Sequence, residues 1–232
     1  MIENNNQHLK CFSLPEITIA PPSIAITNWW QKFANTRLIL NDQHANYLAK
    51  LLPFLLCGEQ SALCIFDNEV NRLKSKPITK AITDLQKVVN DEYYHEQLLQ
   101  HLSGKLPKPP EVNRIKKKAK LFYTKLGNKH TLANHFSLIS QLDRCTCKIL
   151  NAMEQSHLNK NPAITHLFKI IKQDEARHVF ISKQHASNLG SYNTDETITQ
   201  ELIKLLSIQS DTFEGLGIDF DLLTQRLITT KL

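Results

Sequence analysis

Two phrases of identical pattern carry the chemistry this chain can do: Asp91-Glu92-Tyr93-Tyr94-His95 and Asp174-Glu175-Ala176-Arg177-His178, each reading D-E-x-x-H. On a helix, residues three apart share a face, so each phrase aims one carboxylate and one imidazole at a common point. A single E-x-x-H is more often a surface ion pair or a local hydrogen bond than a ligand set. Here each phrase also follows an isolated acid in apolar surroundings: Glu59 precedes Glu92 by 33 positions, from 59 to 92, and Asp143 precedes Glu175 by 32, from 143 to 175. If each acid lies on the helix before its phrase, the two halves together supply four carboxylates and two imidazoles. Carboxylates neutralise and bridge hard cations and imidazole suits iron, so the expected site is a pair of metal ions held by Glu59, Glu92, His95, Asp143, Glu175 and His178.

The neighbours of these acids indicate burial. Glu59 lies between Leu55-Leu56 and Leu63-Cys64, Asp143 follows Ile139 and Leu142, and Val88-Val89 precede Glu92 by one turn. Four unpaired carboxylates in such surroundings would be strongly disfavoured without cations. Asp91 and Asp174 point elsewhere on their helices and are expected to accept from the ring nitrogen that the opposite half's histidine does not give to metal, with Arg177 closing the network. Ordinary helix-surface pairing is the bland alternative for these three. His44, His101, His130, His135, His157, His166 and His185 do not repeat across the halves and are read as surface or satisfied histidines; Asp67, Glu69, Glu96 and Glu154 are read as solvated acids, with Glu154 the fallback ligand on the third helix if Asp143 does not serve.

The elements that must position these groups are helical. Residues 1–22 read as an extended arm ending in Pro21-Pro22, and Ser23 to Arg37 as a short helix. From Asp42 to about Leu73, apolar residues recur at three- and four-residue intervals, with Pro53 expected to bend or break the run. Pro77 opens the helix of the first phrase, stopped by Gly104 and the prolines at 107, 109 and 110. A basic segment, roughly Val112 to Leu126, leads to a third long helix from Thr131 to His157. Asn161-Pro162 opens a fourth, ending near Gly190. One more helix, Asp195 to Gln209, precedes a looser tail. The expectation is one all-α domain over residues 1–232: a four-helix bundle, roughly 42–190, with additional N- and C-terminal helices.

Composition sets the outer limits. With 232 residues, 41% hydrophobic, the chain can bury a large core; it has no uninterrupted apolar run long enough to span a bilayer and no basic-then-apolar leader, so a cytoplasmic protein without membrane association is expected. Cys11, Cys57, Cys64, Cys145 and Cys147 are odd in number and mostly in apolar text, as reduced thiols packed as small hydrophobes would be. Cys145 and Cys147 face different directions on a helix and have no companion pair, which argues against zinc. The net charge of +6 comes largely from Lys105 to Lys129. That stretch lacks interleaved aromatics, so it reads as a solvated face and no nucleic-acid partner is expected.

The paired pattern resembles the ferritin-like di-iron oxygenases, and among them the arylamine N-oxygenase family typified by p-aminobenzoate N-oxygenase. That family repeats a glutamate followed, a helix and a connection later, by D-E-x-x-H. Glu59 with Asp91-Glu92-x-x-His95 fits in full; in the second copy Asp143 stands where the family has Glu, and Ile171 where it has an additional histidine. The D-E-A-R-H wording is also similar to that of bacterial multicomponent monooxygenases and acyl-carrier desaturases. The resemblance implies a ferritin-like four-helix bundle and two iron ions cycling between Fe2+ and Fe3+, with manganese accepted by the same ligands. It also implies O2 and a small organic molecule as substrates, undergoing amine N-oxygenation or C-hydroxylation. Electrons would come from an external donor, because neither a ferredoxin-type cysteine pattern nor a dinucleotide fingerprint is present. A homodimer is compatible with this reading. Val88, Val89, Leu99, Phe136 and Ile139 are expected as pocket walls, with Thr146 and Cys147 one turn beyond Asp143. The other functions to weigh are iron or peroxide handling without substrate oxidation, and a radical-generating subunit.

Overall fold

The computed structural model describes residues 12, 19–74, 79–127, 131–190 and 192–229. Most of the expected arm, together with Cys11, Pro77 and His130, lies outside the described residues. All regular structure among the described residues is helical: α1 (Ile24–Phe33), α2 (Asp42–Leu73), α3 (Thr79–Gly104), α4 (Glu111–Gly127), α5 (Leu132–Gln155), α6 (Pro162–Asn188), α7 (Glu196–Leu206), α8 (Ser210–Gly215) and α9 (Phe220–Ile228), with short 3-10 turns after α5 and α7.

Local chemistry sets the helix starts. The side chains of Ser23, Asn41, Thr131, Asn161, Asp195 and Asp219 each accept a hydrogen bond from a backbone N–H in the first turn of the helix that follows, satisfying donors that have no intrahelical partner. Pro162 occupies the first turn of α6, where its missing N–H costs nothing. Pro53 was expected to bend or break α2; the helix is not broken and runs through it for 32 residues. Burial of Leu51, Leu52, Phe54 and Leu55 around the proline offsets a local penalty of about 3 kcal/mol. An 18-residue window of α2 reaches a mean hydropathy of 1.4, which makes it long and apolar enough by composition to cross a membrane; 72% of that window is buried inside the protein.

Helices α2, α3, α5 and α6 form the bundle, and side-chain pairs give their directions. Gln60 bonds Glu96, while residues 63–73 pack with 85–89, so α2 and α3 run antiparallel. Ser140 reaches the carbonyl of Val179 and Cys147 that of Lys172, so α5 and α6 do the same. Phe66 stacks against Phe136 at 5.5 Å, near the C-terminal end of α2 and the N-terminal end of α5. The basic segment between the halves is a full helix, α4, that runs alongside α2: Lys50 pairs with Glu111 at its start and Cys57 Sγ with the carbonyl of Lys116 further on. Its buried side carries Ile115, Ala119, Phe122, Tyr123 and Leu126, and its lysines at 116, 117 and 118 face solvent.

The expected loose tail is instead helical and packed. Phe213, Leu216, Ile218, Phe220, Leu223 and Leu227 are buried in the core that also holds Trp29, Leu48 and Phe168. Gly215 permits this, because a Cβ there would lie 2.2 Å from the Tyr47 ring. Trp29 of α1 donates its indole N–H to the carbonyl of Ala163, which fastens the N-terminal helix to α6.

Candidate metal centre

One residue or pair from each bundle helix meets at the middle: Glu59 from α2, Glu92 and His95 from α3, Asp143 from α5, Glu175 and His178 from α6. All six are buried, the two histidines completely. Ligand atoms of Glu59, Glu92, His95 and Glu175 lie within 4.8 Å of one another, a group that could hold a metal ion. His178 and Asp143 adjoin it. His178 Nδ1 is 3.1 Å from Glu92 Oε1 and 3.8 Å from Glu175 Oε1, and the Asp143 carboxyl is hydrogen-bonded to that of Glu175.

The imidazoles are held in a crossed arrangement between the halves. His95 presents Nδ1 to Glu59 Oε2 at 3.1 Å and Nε2 to Asp174 Oδ2 at 3.0 Å. His178 turns Nδ1 toward the carboxylates and Nε2 to Asp91 Oδ2 at 3.2 Å. Arg177 donates to Asp91 and to Asp174, at 2.7 Å each, bridging the two aspartates that orient the rings. Each histidine thus has an outward nitrogen fixed by a carboxylate and an inward nitrogen aimed at the cluster, the arrangement by which proteins orient imidazole ligands.

Electrostatics shows how unsuited this cluster is to being left without cations. Burial, reinforced by Glu59 and Glu175, holds the Glu92 carboxyl well above the usual carboxylate range. Burial and then Glu59 do the same to Asp143, and burial and then Asp143 to Glu175. For Glu59 burial acts upward, but the charge and hydrogen bond of His95 outweigh it and the net direction is down. His95 is driven well above the ordinary imidazole value: burial acts downward, but Glu59 and Asp174 prevail. Asp143 Oδ2 and His178 Nδ1 are buried without a hydrogen-bond partner, an omission that ordinarily costs about 1–3 kcal/mol per group. Oxygen and imidazole donors converging in a buried, anionic cluster with two unmatched lone-pair atoms fit divalent first-row metal ions.

A cavity of about 50 Å3 opens onto the carboxylates of Glu59, Glu92, Asp143 and Glu175. Of the expected wall residues, Ile139 and Thr146 line it. Val88, Val89 and Phe136 pack instead into the core beside Phe66 and Leu85, Leu99 into the core with Leu55 and Leu102, and Cys147 turns to the Lys172 carbonyl, its thiol pushed up to about 12 chiefly by burial. A face adjoining the one that carries the carboxylates and imidazoles is not the face that borders the void, and periodicity alone does not separate the two. The sequence reading missed Tyr123 and Leu126 of α4, which lie in the cavity wall; His135, read as a surface or satisfied histidine, is buried in the same wall. Their signal was the 3.6-residue spacing of Ile115, Ala119, Phe122 and Leu126 under the lysine run, and the position of His135 one turn before Ile139. Cys57, Cys64, Cys145 and Cys147 are buried and in no disulfide among the described residues.

Asp67 and Glu69, read as solvated, are both buried. Glu69 accepts two hydrogen bonds from Arg72, each 2.6 Å, and is paired with His185 Nε2 at 2.6 Å, tying α2 to α6 away from the metal ligands. Burial would raise the Glu69 carboxyl, but Arg72 and His185 more than compensate and hold it below its ordinary value. On acidification the unfolded chain therefore takes up this proton first. The stabilisation from Glu69 is complete above the ordinary glutamate range and is lost as pH falls through the lower folded-state value. Glu69→Ala is expected to cost about 3–5 kcal/mol at neutral pH, and urea titrations from about pH 5 downward should show wild type losing stability more steeply than the variant. Parallel pH profiles would refute this role.

Comparisons with protein-family models, curated proteins and solved structures gave no match for this chain.

Proposed function

We propose that the protein is a ferritin-like non-haem di-iron oxygenase that uses O2 to oxidise a small organic substrate. The observation that carries this reading is the crossed pairing of His95 with Asp174 and His178 with Asp91, both imidazoles facing one buried carboxylate group. Ion-pair networks of purely structural origin do not need four buried carboxyl groups, three of them held well above their usual range.

Two iron ions bound by Glu59, Glu92, His95, Asp143, Glu175 and His178 would supply the activation of O2. The chain's own residues do the rest. Asp91 and Asp174 hold the imidazole planes and keep the outward ring nitrogens protonated, and Arg177 fixes those aspartates. Phe54, Leu55, Ile65, Ile139 and Leu142 exclude water from the cavity where a substrate meets the ligands. The overall reaction is a monooxygenation: one oxygen atom enters a C–H or N–H bond of the substrate and the other leaves as water. Two protons and two electrons come from an external reductant. The apolar lining favours substrate oxidation over iron storage, for which a polar ion path would be needed. A second reading, a radical-generating subunit, is favoured by one observation, the buried Tyr123 phenol in the cavity wall.

Ferrous-loaded protein supplied with a chemical reductant, isotopically labelled O2 and a panel of small amines and hydrocarbons tests the proposal. Label in an organic product supports it. Oxygen consumption that yields only water or peroxide overturns it, and a persistent tyrosyl signal in electron paramagnetic resonance would move the assignment to the second reading.

A further inference from the structure

The oxygenase reading leaves the substrate class open, and the cavity narrows it. Its lining includes two helical stripes, Phe54, Leu55, Gly58, Glu59, Ala62 and Ile65 on α2 and His135, Ile139, Leu142, Asp143 and Thr146 on α5. Tyr123 and Leu126 of α4 complete the wall. Tyr123 is buried and its ring lies 6.2 Å from that of Phe54. Its hydroxyl is seated against Gly58, the residue directly before the ligand Glu59, and a Cβ on Gly58 would come within 2.9 Å of that oxygen. The phenol therefore uses space that the absence of a side chain at 58 leaves open, beside Glu59.

Size decides what remains. The cavity measures about 50 Å3, about a third of the roughly 150 Å3 of an engineered apolar cavity that binds benzene. We infer that Tyr123, seated on Gly58, is the residue that sets substrate size, restricting the site to short aliphatic groups and excluding aromatic rings. This rests on the oxygenase reading for its meaning, but the size limit itself is a property of the chain and can be measured apart from any turnover. An arylamine then falls outside the wild-type substrate class, although the sequence pattern of the first half resembles that of arylamine N-oxygenases.

Two guests separate the outcomes on the full-length protein as isolated: xenon, followed by NMR, and benzene, followed by thermal shift and calorimetry. Wild type is expected to take up xenon and not benzene. Tyr123→Ala should bind both, with benzene affinity raised at least tenfold over wild type, and Tyr123→Phe, which keeps the ring, should behave as wild type. Should the alanine variant fail to fold, Tyr123→Leu gives the same contrast with less volume removed. Benzene binding by wild type equal to that of the truncated variants, or no benzene binding by any folded truncation, overturns the inference. Guest selectivity as described together with no label transfer from O2 would remove the oxygenase reading and leave the size limit standing; label transfer with the opposite guest pattern would do the reverse.

Discussion

Glu175→Ala is expected to lower metal affinity by more than about a hundredfold and to abolish oxygen chemistry, because Glu175 is a carboxylate that approaches the histidines of both halves. It approaches His95 Nδ1 at 4.0 Å and His178 Nδ1 at 3.8 Å and is hydrogen-bonded to Asp143. Its removal leaves two imidazoles and Asp143 without a shared partner in a buried setting, so the remaining donors cannot close around two ions. The graded comparison is Asp174→Asn, which leaves every ligand in place but removes the charge that orients His95; loss of a supporting partner of this kind costs about 10–100-fold. Competition titrations with a chromophoric chelator would rank wild type, Asp174→Asn and Glu175→Ala. Equal affinities for wild type and Glu175→Ala would contradict the assignment.

The second large effect is a reversal of stability on loading. Glu92 is buried against Glu59 and Glu175, so the metal-free protein carries an unfavourable cluster at its centre. Burial and the neighbouring carboxyls make a charge at Glu92 costly without metal, and a glutamine keeps the shape of the side chain while removing the ionisable group. Glu92→Gln should accordingly raise the melting temperature of the metal-free protein. With metal at about a thousand times its dissociation constant, wild type gains about 4 kcal/mol, and the variant should gain far less. The order of stabilities then inverts between chelated and loaded samples in differential scanning calorimetry. A variant less stable than wild type in both states would show that Glu92 serves packing rather than metal.

The sequence revealed the centre more clearly than the space beside it, for a physical reason. Helical periodicity dictates that Glu92 and His95 share a face, and a near-equal offset of Glu59 and Asp143 from their phrases reports the repeated helix lengths. These are local rules, and they sufficed to bring six side chains from four helices together on paper. The cavity obeys no local rule. It depends on how α4, a connection between the halves, lies against α2, and so Tyr123 and Leu126 stayed hidden beneath a conspicuous lysine run. Besides the apolar spacing on α4, Gly58 beside Glu59 was a trace of that approach, since a glycine within a helix ordinarily costs about 1 kcal/mol and calls for a reason. Pro53 misled in the other direction: its helix-breaking tendency is real, but burial along α2 outweighs it. The tail was read as loose, yet Phe213, Leu216 and Phe220 are buried in a core shared with Trp29, Leu48 and Phe168, a long-range packing that local spacing does not report.

The most direct test of the central claim is the metal content of anaerobically purified protein reconstituted with ferrous iron, read by elemental analysis and Mössbauer spectroscopy. Two irons per chain in a coupled site, lost together in Glu175→Ala, are predicted from the two-half ligand set. Fewer than about one metal per chain, unchanged by that substitution, would contradict a ligand set built from both halves.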